Sequence, residues 1–255
     1  MEMERAVLLA ITGCMLICFT SVGIAVAQKA EDIDPQALIR QVETQYQGKT
    51  SYATMHMKIV TDAWSRELVM ESWSEGRDKF LARILSPKKE EGTASLKIED
   101  DMWNYLPKID RLMKIPSSLM GDSWMGSHLT NDDLVKENKI DELYTFAVGK
   151  VEDSVATIIC TPKSDAAIVW DKVEYQVDLT KIIPVNVYYY DEDGDLVRTM
   201  IFDKVENIDG RWIPLRMGVQ PVDKPNEMTE LVYENLKFDI KLPDDFFSLR
   251  SLRRR

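Results

Sequence analysis

The stretch "VWDKVEYQVDL", residues 169–179, decides the fold class of this chain. Its apolar residues recur at every second position, and Glu174, Gln176 and Asp178 fall between them. Successive side chains of a β-strand point to opposite faces, so the pattern predicts a strand with one buried and one wet face. The buried face would consist of Val169, Val173, Tyr175, Val177 and Leu179. One-sided strands of this kind are typical of antiparallel sheets.

The same period of two recurs along most of the chain after residue 50. It is clear in "YATMHMKI" (52–59), and the Asp-Gly pairs at 193–194 and 209–210 predict tight hairpin turns. Further strand-like runs are "RELVMESW" (66–73), "KFLARIL" (79–85), "SLKIE" (95–99), "MWNYL" (102–106), "YTFAV" (144–148), "VATIIC" (155–160) and "MTELVYENL" (228–236). The sequence therefore predicts a mainly β, α+β domain built on an antiparallel sheet. The main interior helix candidate is "TNDDLVKE" (130–137).

One helix is clearly marked before the first strand, in "DPQALIRQVETQYQG", residues 34–48. Asp34 can cap the free amides, Pro35 suits the first turn, and Gly48 suits the end. Leu38, Val42 and Tyr46 recur at a spacing of four, which gives an apolar stripe that must pack on another element.

The N-terminus has the pattern of an export signal. After Arg5 the residues from Ala6 to Ala25 are almost wholly apolar, and the small-x-small sequence "AVAQ" follows. This predicts a signal peptide over residues 1–27, cleaved before Gln28, and a single mature domain over residues 28–255. Two alternatives remain open: an uncleaved membrane anchor, and lipoprotein processing at Cys14 in "ITGC".

The charge balance excludes nucleic acid as a partner. The net charge is −11, and removal of residues 1–27, which carry Glu2, Glu4 and Arg5, leaves −10. No internal basic patch could replace the counterions of phosphates, and the basic run "RSLRRR" is predicted to be a solvated terminus. Cleavage would also leave Cys160 as the only cysteine, so no internal disulfide is expected.

The sequence offers no catalytic constellation. "GDSW" (121–124) is similar to the nucleophile block of GDS-type esterases, but such enzymes need a histidine near the C-terminus. This chain has only His56 and His128, so Ser123 is predicted to be structural. "DEDGDL" (191–196) lacks the spacing of a calcium loop, and Asp132-Asp133 fits a helix cap. We therefore predict no catalysis, metal or cofactor.

The stretch "RLMKIPSSLMGDSWMGSHLTNDDL", residues 111–134, combines bulky apolar residues with the helix and strand breakers Pro116, Gly121 and Gly126. Methionine clusters suit surfaces that must fit varied apolar partners. Two interpretations stay open on physical grounds: an irregular loop that caps the core, and a lid over an apolar cavity. The strand "KFLARIL" poses the same alternative, because it is apolar on both faces.

A family resemblance bears on this choice. "YLPKIDRLMKIPSSLMGDSWMGSHLTNDDL", residues 105–134, looks like the signature of the LolA-like family of outer-membrane lipoprotein-sorting proteins. The likeness extends to the closing "LPDDFFSL" (242–249) and is greatest for the subgroup found beside membrane transport proteins. It implies a curved antiparallel sheet that forms an incomplete β-barrel, with a few helices covering the open side.

The resemblance also implies a function. It indicates a periplasmic, monomeric carrier that binds the acyl chains of lipoproteins or lipids in an apolar cavity. Such a carrier would transfer them toward the outer membrane and would work with an inner-membrane transporter. A lipid-sensing regulator of the same fold is the alternative.

The candidate lipid-binding residues come from the methionine-rich stretch and the strand before it. Alternation along a strand means that about half of the first five would face away from a cavity. The candidates are Met102, Trp103, Tyr105, Leu112, Met113, Ile115, Leu119, Met120, Trp124 and Met125.

Overall fold

The structure, a computed structural model, describes residues 30–45, 48–136, 139–166 and 168–253. Its main element is a 13-stranded antiparallel sheet. The strands are β1 (Thr50–Val60), β2 (Ser65–Glu75), β3 (Lys79–Ser86), β4 (Ala94–Ile98), β5 (Asp101–Leu106), β6 (Arg111–Lys114), β7 (Tyr144–Glu152), β8 (Val155–Pro162), β9 (Lys172–Asp178), β10 (Ile183–Tyr190), β11 (Leu196–Ile208), β12 (Arg211–Pro221) and β13 (Met228–Phe238). The α-helices of the described residues are α1 (Pro35–Thr44), α2 (Asn131–Lys136), α3 (Ile140–Leu143) and α4 (Leu249–Leu252).

The strand order shows that the sheet is open. The order is β6-β5-β4-β3-β2-β1-β13-β12-β11-β10-β9-β8-β7, so the first and last strands pair at the centre. The two edges, β6 and β7, are consecutive in the chain, and the segment between them must cross from one edge to the other. We call this crossing segment, residues 115–136 and 139–143, the lid segment. The predicted incomplete barrel with a few helices is confirmed.

The concave face of the sheet carries the larger core. Met55, Met57 and Ile59 of β1 are buried there, together with Met70 of β2. Helix α1 packs its apolar stripe, including Ile39 at 0 % exposure, into the same cluster. At about 25 cal/mol per Å² of apolar area, burial of these side chains is the main stabilising contribution to the fold.

A second, smaller core lies on the convex face of β3 to β6. Leu81, Leu96 and Tyr105 are buried there, and Phe247 and Leu252 of the C-terminal segment cover them. This explains why "KFLARIL" is apolar on both faces, since Ala82 and Ile84 belong to the concave core.

Helix α1 matches its predicted beginning. Asp34 Oδ1 accepts a hydrogen bond from the Ala37 amide at 3.1 Å, as expected of a cap. The helix ends at Thr44, before the predicted Gly48, and Tyr46 lies outside the described residues.

Two strand predictions need correction. Strand β9 begins at Lys172, so Val169 is not part of its buried face and is 47 % exposed. The first residues of the irregular stretch, Arg111–Lys114, form the short edge strand β6, because they pair with Trp103–Leu106 of β5.

The predicted signal peptide, residues 1–27, lies outside the described residues. Within the part of the chain that the structure describes, no helix has both the length and the apolar character needed to cross a membrane.

Candidate functional site

An apolar cavity of about 190 Å³ lies between the concave face of the sheet and the lid segment. Side chains from α1, most of the long strands, the loop before β9 and the lid segment line it. They include Val42, Ala53, Met55, Phe80, Trp124, Leu129, Leu134, Ile140, Leu143, Ile168, Trp170, Val173, Tyr175, Val187, Tyr189, Met200, Phe202, Met217, Leu231, Tyr233 and Leu236. Interior voids in proteins are normally few and small, so a cavity of this size is a candidate binding site.

The tip of the lid segment folds back on itself. The Trp124 amide donates to the Leu129 carbonyl at 2.7 Å, and the Asn131 amide donates to the Asp122 carbonyl at 3.0 Å. Gly126 has a φ of +73°, in the left-handed region, which glycine adopts at little cost. The sequence therefore forms a compact loop rather than a helix or a strand.

Trp124 holds this loop on the sheet. It is 2 % exposed, and its indole Nε1 donates to Ser95 Oγ on β4 at 3.1 Å. Ser95 Oγ in turn donates to Asn104 Oδ1 at 2.6 Å, so the polar atoms around the indole are paired. Trp124 also borders the cavity, which makes it both an anchor and part of the wall.

Helix α2 begins with the predicted cap. The Asp133 amide donates to Thr130 Oγ1 at 3.0 Å, and the Thr130 amide donates to Asp133 Oδ2 at 2.7 Å. This reciprocal arrangement satisfies amides that would otherwise be free at the start of the helix.

Asp133 also binds Arg198 of β11 through two hydrogen bonds. Arg198 Nη1 donates to Asp133 Oδ2 at 2.6 Å, and Nη2 donates to Oδ1 at 2.8 Å. The guanidinium lies 4.4 Å from the ring centroid of Trp170 and 4.1 Å from that of Tyr189. Two aromatic faces and a carboxylate thus replace the water that the cation loses on burial.

The pKa values of this pair move apart. Burial tends to raise the pKa of Asp133, but the charge of Arg198 and the hydrogen bonds of Thr130 hold it below its usual range. Burial tends to lower the pKa of Arg198, but Asp133 raises it above the ordinary value. Both groups are therefore charged, and the pair fastens α2 to the sheet.

Asp132 is the other carboxylate of α2, and it borders the cavity. It is 5 % exposed and lies 2.6 Å from Lys136 Nζ, one helical turn away. Burial raises the pKa of Asp132 despite the hydrogen bond and charge of Lys136. The cavity wall is therefore not wholly apolar, and Glu43, Asp133 and Lys136 border it as well.

His128 fixes the lid tip to β13. Its amide donates to Thr229 Oγ1 at 3.0 Å, its Nδ1 lies 2.9 Å from the same hydroxyl, and its Nε2 lies 3.0 Å from Glu227 Oε2. The hydrogen bond from His128 holds the pKa of Glu227 below its usual range. The imidazole therefore has partners on both nitrogens and acts as a structural clip.

A second ionic cluster fastens the other end of the lid segment. Arg77, in the β2–β3 turn, pairs with Asp141 of α3 and lies 3.4 Å from Glu43 of α1. Glu43 Oε1 also accepts the Ile140 amide at 3.1 Å. The helices across the mouth of the sheet are therefore held by charged groups at both ends, and the apolar cavity lies between them.

Of the candidates predicted from the sequence, Trp124 alone lines the cavity directly. Met102 is buried in the concave core, and Ile115, Met120 and Met125 pack against that core. Met113 is paired with Asn104 and is half-buried, and Leu119 is 44 % exposed. Contact of these residues with a ligand stays a prediction.

The remaining three candidates lie on the other side of the sheet. Trp103, Tyr105 and Leu112 belong to the convex core under the C-terminal segment. The physical reason is the pleat, because Met102 and Trp103 are consecutive in β5 and must point to opposite faces.

Sequence reasoning missed the part of the wall that comes from β10 to β13. Val187, Met200, Met217 and Leu231 are buried and line the cavity. The signal was available in the alternating buried pattern of these strands, but periodicity alone cannot tell a cavity wall from a packed core.

No catalytic group is assembled around Ser123. Within the described residues neither histidine ring is hydrogen-bonded to Ser123, since His128 pairs with Thr229 and Glu227 and His56 lies 3.3 Å from Glu234. Burial raises the pKa of the Cys160 thiol far above its usual value, so this thiol is not a nucleophile at neutral pH. No group of three or more His, Cys, Asp or Glu among the described residues could hold a metal ion.

Solved structures with this fold cover nearly the whole chain. A candidate outer membrane lipoprotein-sorting protein domain from Vibrio parahaemolyticus is 26 % identical, with a TM-score of 0.77 over 89 % of this chain and 100 % of that one. A DUF1329 family protein from Desulfovibrio piger is 24 % identical, with a TM-score of 0.78 over 86 % and 97 %. A LolA superfamily protein from Nitrosomonas europaea is 18 % identical, with a TM-score of 0.71 over 86 % and 99 %.

The sequence comparison places the chain in a family. No curated protein shows significant similarity to the chain. A family model with the description "Uncharacterized protein" matches residues 76–254, well over half of the chain. Together with the shared fold, this match shows that the chain belongs to the family of that model, a LolA-like family.

Proposed function

We propose that the protein is a carrier that binds the acyl chains of lipoproteins or lipids in its apolar cavity and transfers them toward the outer membrane. The observation that carries this proposal is the cavity itself, which is lined mostly by apolar side chains of the sheet and bordered by a separately fastened lid segment. The fold shared with LolA-like proteins supports a binding role, and the proposal includes no catalysis.

The physical problem that such a carrier solves is desolvation. Each methylene that leaves water contributes about 0.8 kcal/mol, so an acyl anchor cannot cross an aqueous space unshielded. Apolar walls shield the chain, and a lid held by ion pairs can open without exposure of the whole core. Binding of this kind depends on apolar contact, which is non-directional, and it needs no catalytic arrangement of side chains.

The predicted lid residues have a place in this proposal. Trp124 would contact the ligand in the closed state, because it borders the cavity. Ile115, Met120 and Met125 pack against the concave core from the lid side, and they would meet a ligand when the lid segment moves. Flexible methionine side chains suit such variable contacts.

The setting of the carrier is part of the proposal. A signal peptide over residues 1–27 would deliver a single mature domain, residues 28–255, to the periplasm. There the protein would act as a monomer beside an inner-membrane transporter. The family resemblance and the N-terminal pattern "AVAQ" support this setting.

A lipid-sensing regulator would use the same cavity, and ligand binding alone would not separate it from a carrier. Transfer between vesicles does separate them, because a sensor need not release its lipid. A serine esterase using Ser123 is a different class. Substitution Ser123→Ala should leave lipid binding and transfer unchanged, and loss of ester hydrolysis in that variant would favour the esterase.

A cavity-filling substitution tests the binding site directly. Ala53 is 1 % exposed and lines the cavity from β1, so Ala53→Phe should place a ring in the space that a ligand would use. We expect binding of a fluorescent fatty-acid probe to weaken at least about tenfold, which equals roughly 1.4 kcal/mol.

The matched control is Ala147→Phe, at an exposed position of the edge strand β7 outside the cavity. This variant should bind the probe like the unmodified protein. If folded Ala53→Phe protein binds the probe with unchanged affinity, the cavity is not the ligand site.

A further inference from the structure

Two turns of the sheet form one continuous surface. The β3–β4 turn (residues 87–93) and the β5–β6 turn (residues 107–110) lie at the same edge, because alternate turns of an antiparallel meander do so. The two turns are also in close contact. A Cβ atom built on Gly92 of the first turn would lie 3.4 Å from Pro107 Cγ of the second. Residues that project from both turns can therefore meet the same partner.

The C-terminal segment brings further cations to this surface. It crosses the convex face of the sheet, where Arg83 Nη2 donates to the Ser251 carbonyl at 2.7 Å. It reaches the β5–β6 turn, where Arg253 Nε lies 3.5 Å from Asp110 Oδ1. We call the resulting surface the turn patch, formed by Lys88, Lys89, Lys108, Ile109, Arg111 and Arg253.

The turn patch is basic in an acidic protein. With Arg250 of α4, six exposed cations are set against Glu90, Glu91 and Asp110, in a chain whose net charge is −11. Lys88, Lys89 and Arg253 pair with these three carboxylates, so the six cations exceed them by three positive charges. Glu90 is further neutralised, because it pairs with Arg66. Charges more than about 8 Å apart in water are largely screened at physiological ionic strength, so the local excess decides what the patch attracts.

An exposed apolar side chain lies beside these cations, between Lys108 and Arg111 in the β5–β6 turn. Ile109 is 64 % exposed, the highest value among the exposed large apolar side chains of the described residues. Leu249 of α4, at 41 %, is also exposed beside Arg250. An exposed apolar side chain beside several cations suits the boundary between lipid headgroups and acyl chains, whereas a polar protein surface would leave Ile109 without an apolar contact.

We propose that the turn patch docks the protein on an anionic phospholipid membrane, with Ile109 inserted at the headgroup level and the cations bound to lipid phosphates. The same edge of the sheet includes Trp64, which lies close to the lid tip. Its Cη2 atom is 3.8 Å from the position that a Cβ atom on Gly126 would take. Docking through this edge brings the lid tip toward the membrane.

Other groups on this edge limit the patch to the β3–β6 end of the sheet. The β10–β11 turn carries carboxylates at Asp191, Glu192, Asp193 and Asp195. Six strands separate β5 from β11 in the sheet order, so these carboxylates are remote along the sheet from Ile109. The turn patch and this acidic turn therefore lie on separate parts of the same edge.

Vesicle co-sedimentation of the full mature chain tests this proposal. We expect binding to vesicles of phosphatidylcholine mixed with phosphatidylglycerol, little binding to phosphatidylcholine alone, and loss of binding in high salt. The charge reversal Lys108→Glu with Arg111→Glu should weaken binding to the anionic vesicles at least about tenfold, and Ile109→Ser should weaken it several-fold.

Matched controls separate the turn patch from general effects. Lys58→Glu with Lys150→Glu reverses two exposed cations elsewhere, and Val169→Ser removes an apolar side chain that is 47 % exposed. These controls should bind like the unmodified protein. Absence of binding to anionic vesicles, or equal binding by the patch and control variants, would overturn the proposal.

The docking test is independent of the cavity. Ala53→Phe should still bind anionic vesicles, and the patch variants should still bind the fatty-acid probe. Vesicle binding that is lost in Ala53→Phe but kept in the patch variants would show that lipid capture in the cavity, rather than the turn patch, causes it.

Discussion

Removal of Arg198 should destabilise the protein more than removal of the whole ion pair. In Arg198→Met the Asp133 carboxylate stays in the interior and keeps the Thr130 amide at 2.7 Å, but it loses its cation. A buried charge that loses its partner typically costs about 3–5 kcal/mol. In the double variant Asp133→Leu with Arg198→Met no charge is stranded, and the main loss is the helix cap, about 0.5–2 kcal/mol.

Urea denaturation near neutral pH measures both free energies of unfolding, and the two single variants complete a double-mutant cycle. The native pKa of Asp133 is lowered, so the stability from this pair is fully present above its unfolded pKa of about 3.9. It is lost as the pH falls through the native pKa. The double variant should therefore lose less stability in acid than the unmodified protein. Equal costs for Arg198→Met and for the double variant would refute the reasoning.

Three other outcomes are expected. Trp124→Ala should lower the free energy of unfolding by about 3–5 kcal/mol. Trp124→Phe should lower it by about 1 kcal/mol, mainly because the hydrogen bond to Ser95 is lost. Equal costs of the two variants in urea denaturation would show that the ring is not packed. Burial raises the pKa of Asp132, so its contribution is present below the unfolded pKa of about 3.9 and lost as the pH rises. The melting temperature of Asp132→Asn, relative to that of the unmodified protein, should therefore rise as the pH is raised from acid to neutral. A difference that stays constant with pH would contradict this. Intact-mass measurement of exported protein should give an N-terminus at Gln28, and a diacylglycerol adduct on Cys14 would instead establish a membrane-tethered lipoprotein.

The antiparallel sheet was predictable from local pattern. The face that contains Val173, Tyr175 and Val177 is buried as expected, because alternation with period two depends only on the pleat. The cap at Asp34, the turn at Asp193-Gly194 and the cap formed by Asp133 were also predictable, since each depends on residues close together in the sequence. The curvature and the open mouth were predicted from the family resemblance rather than from periodicity.

The candidate site was less predictable, because it depends on contacts between distant residues. The pair of Asp133 with Arg198 joins residues 65 positions apart, and no local pattern identifies it. The placement of Trp103 and Tyr105 on the convex face depends on the C-terminal segment that covers them. An apolar strand with covered faces gives no local signal of which face borders a cavity.

The central pairing of β1 with β13 has a consequence for the order of folding. Strands β1–β6 and β7–β13 are each linked by turns between neighbours, so each half can form by contacts that are local in sequence. The pair that unites them joins Ser51 to Phe238, near the two ends of the sheet-forming region. During synthesis the halves can form as separate meanders, but they cannot unite until β13 has been made. Until then the long strand β1 keeps one side without a partner, and we expect the nascent chain to need protection from aggregation at that side.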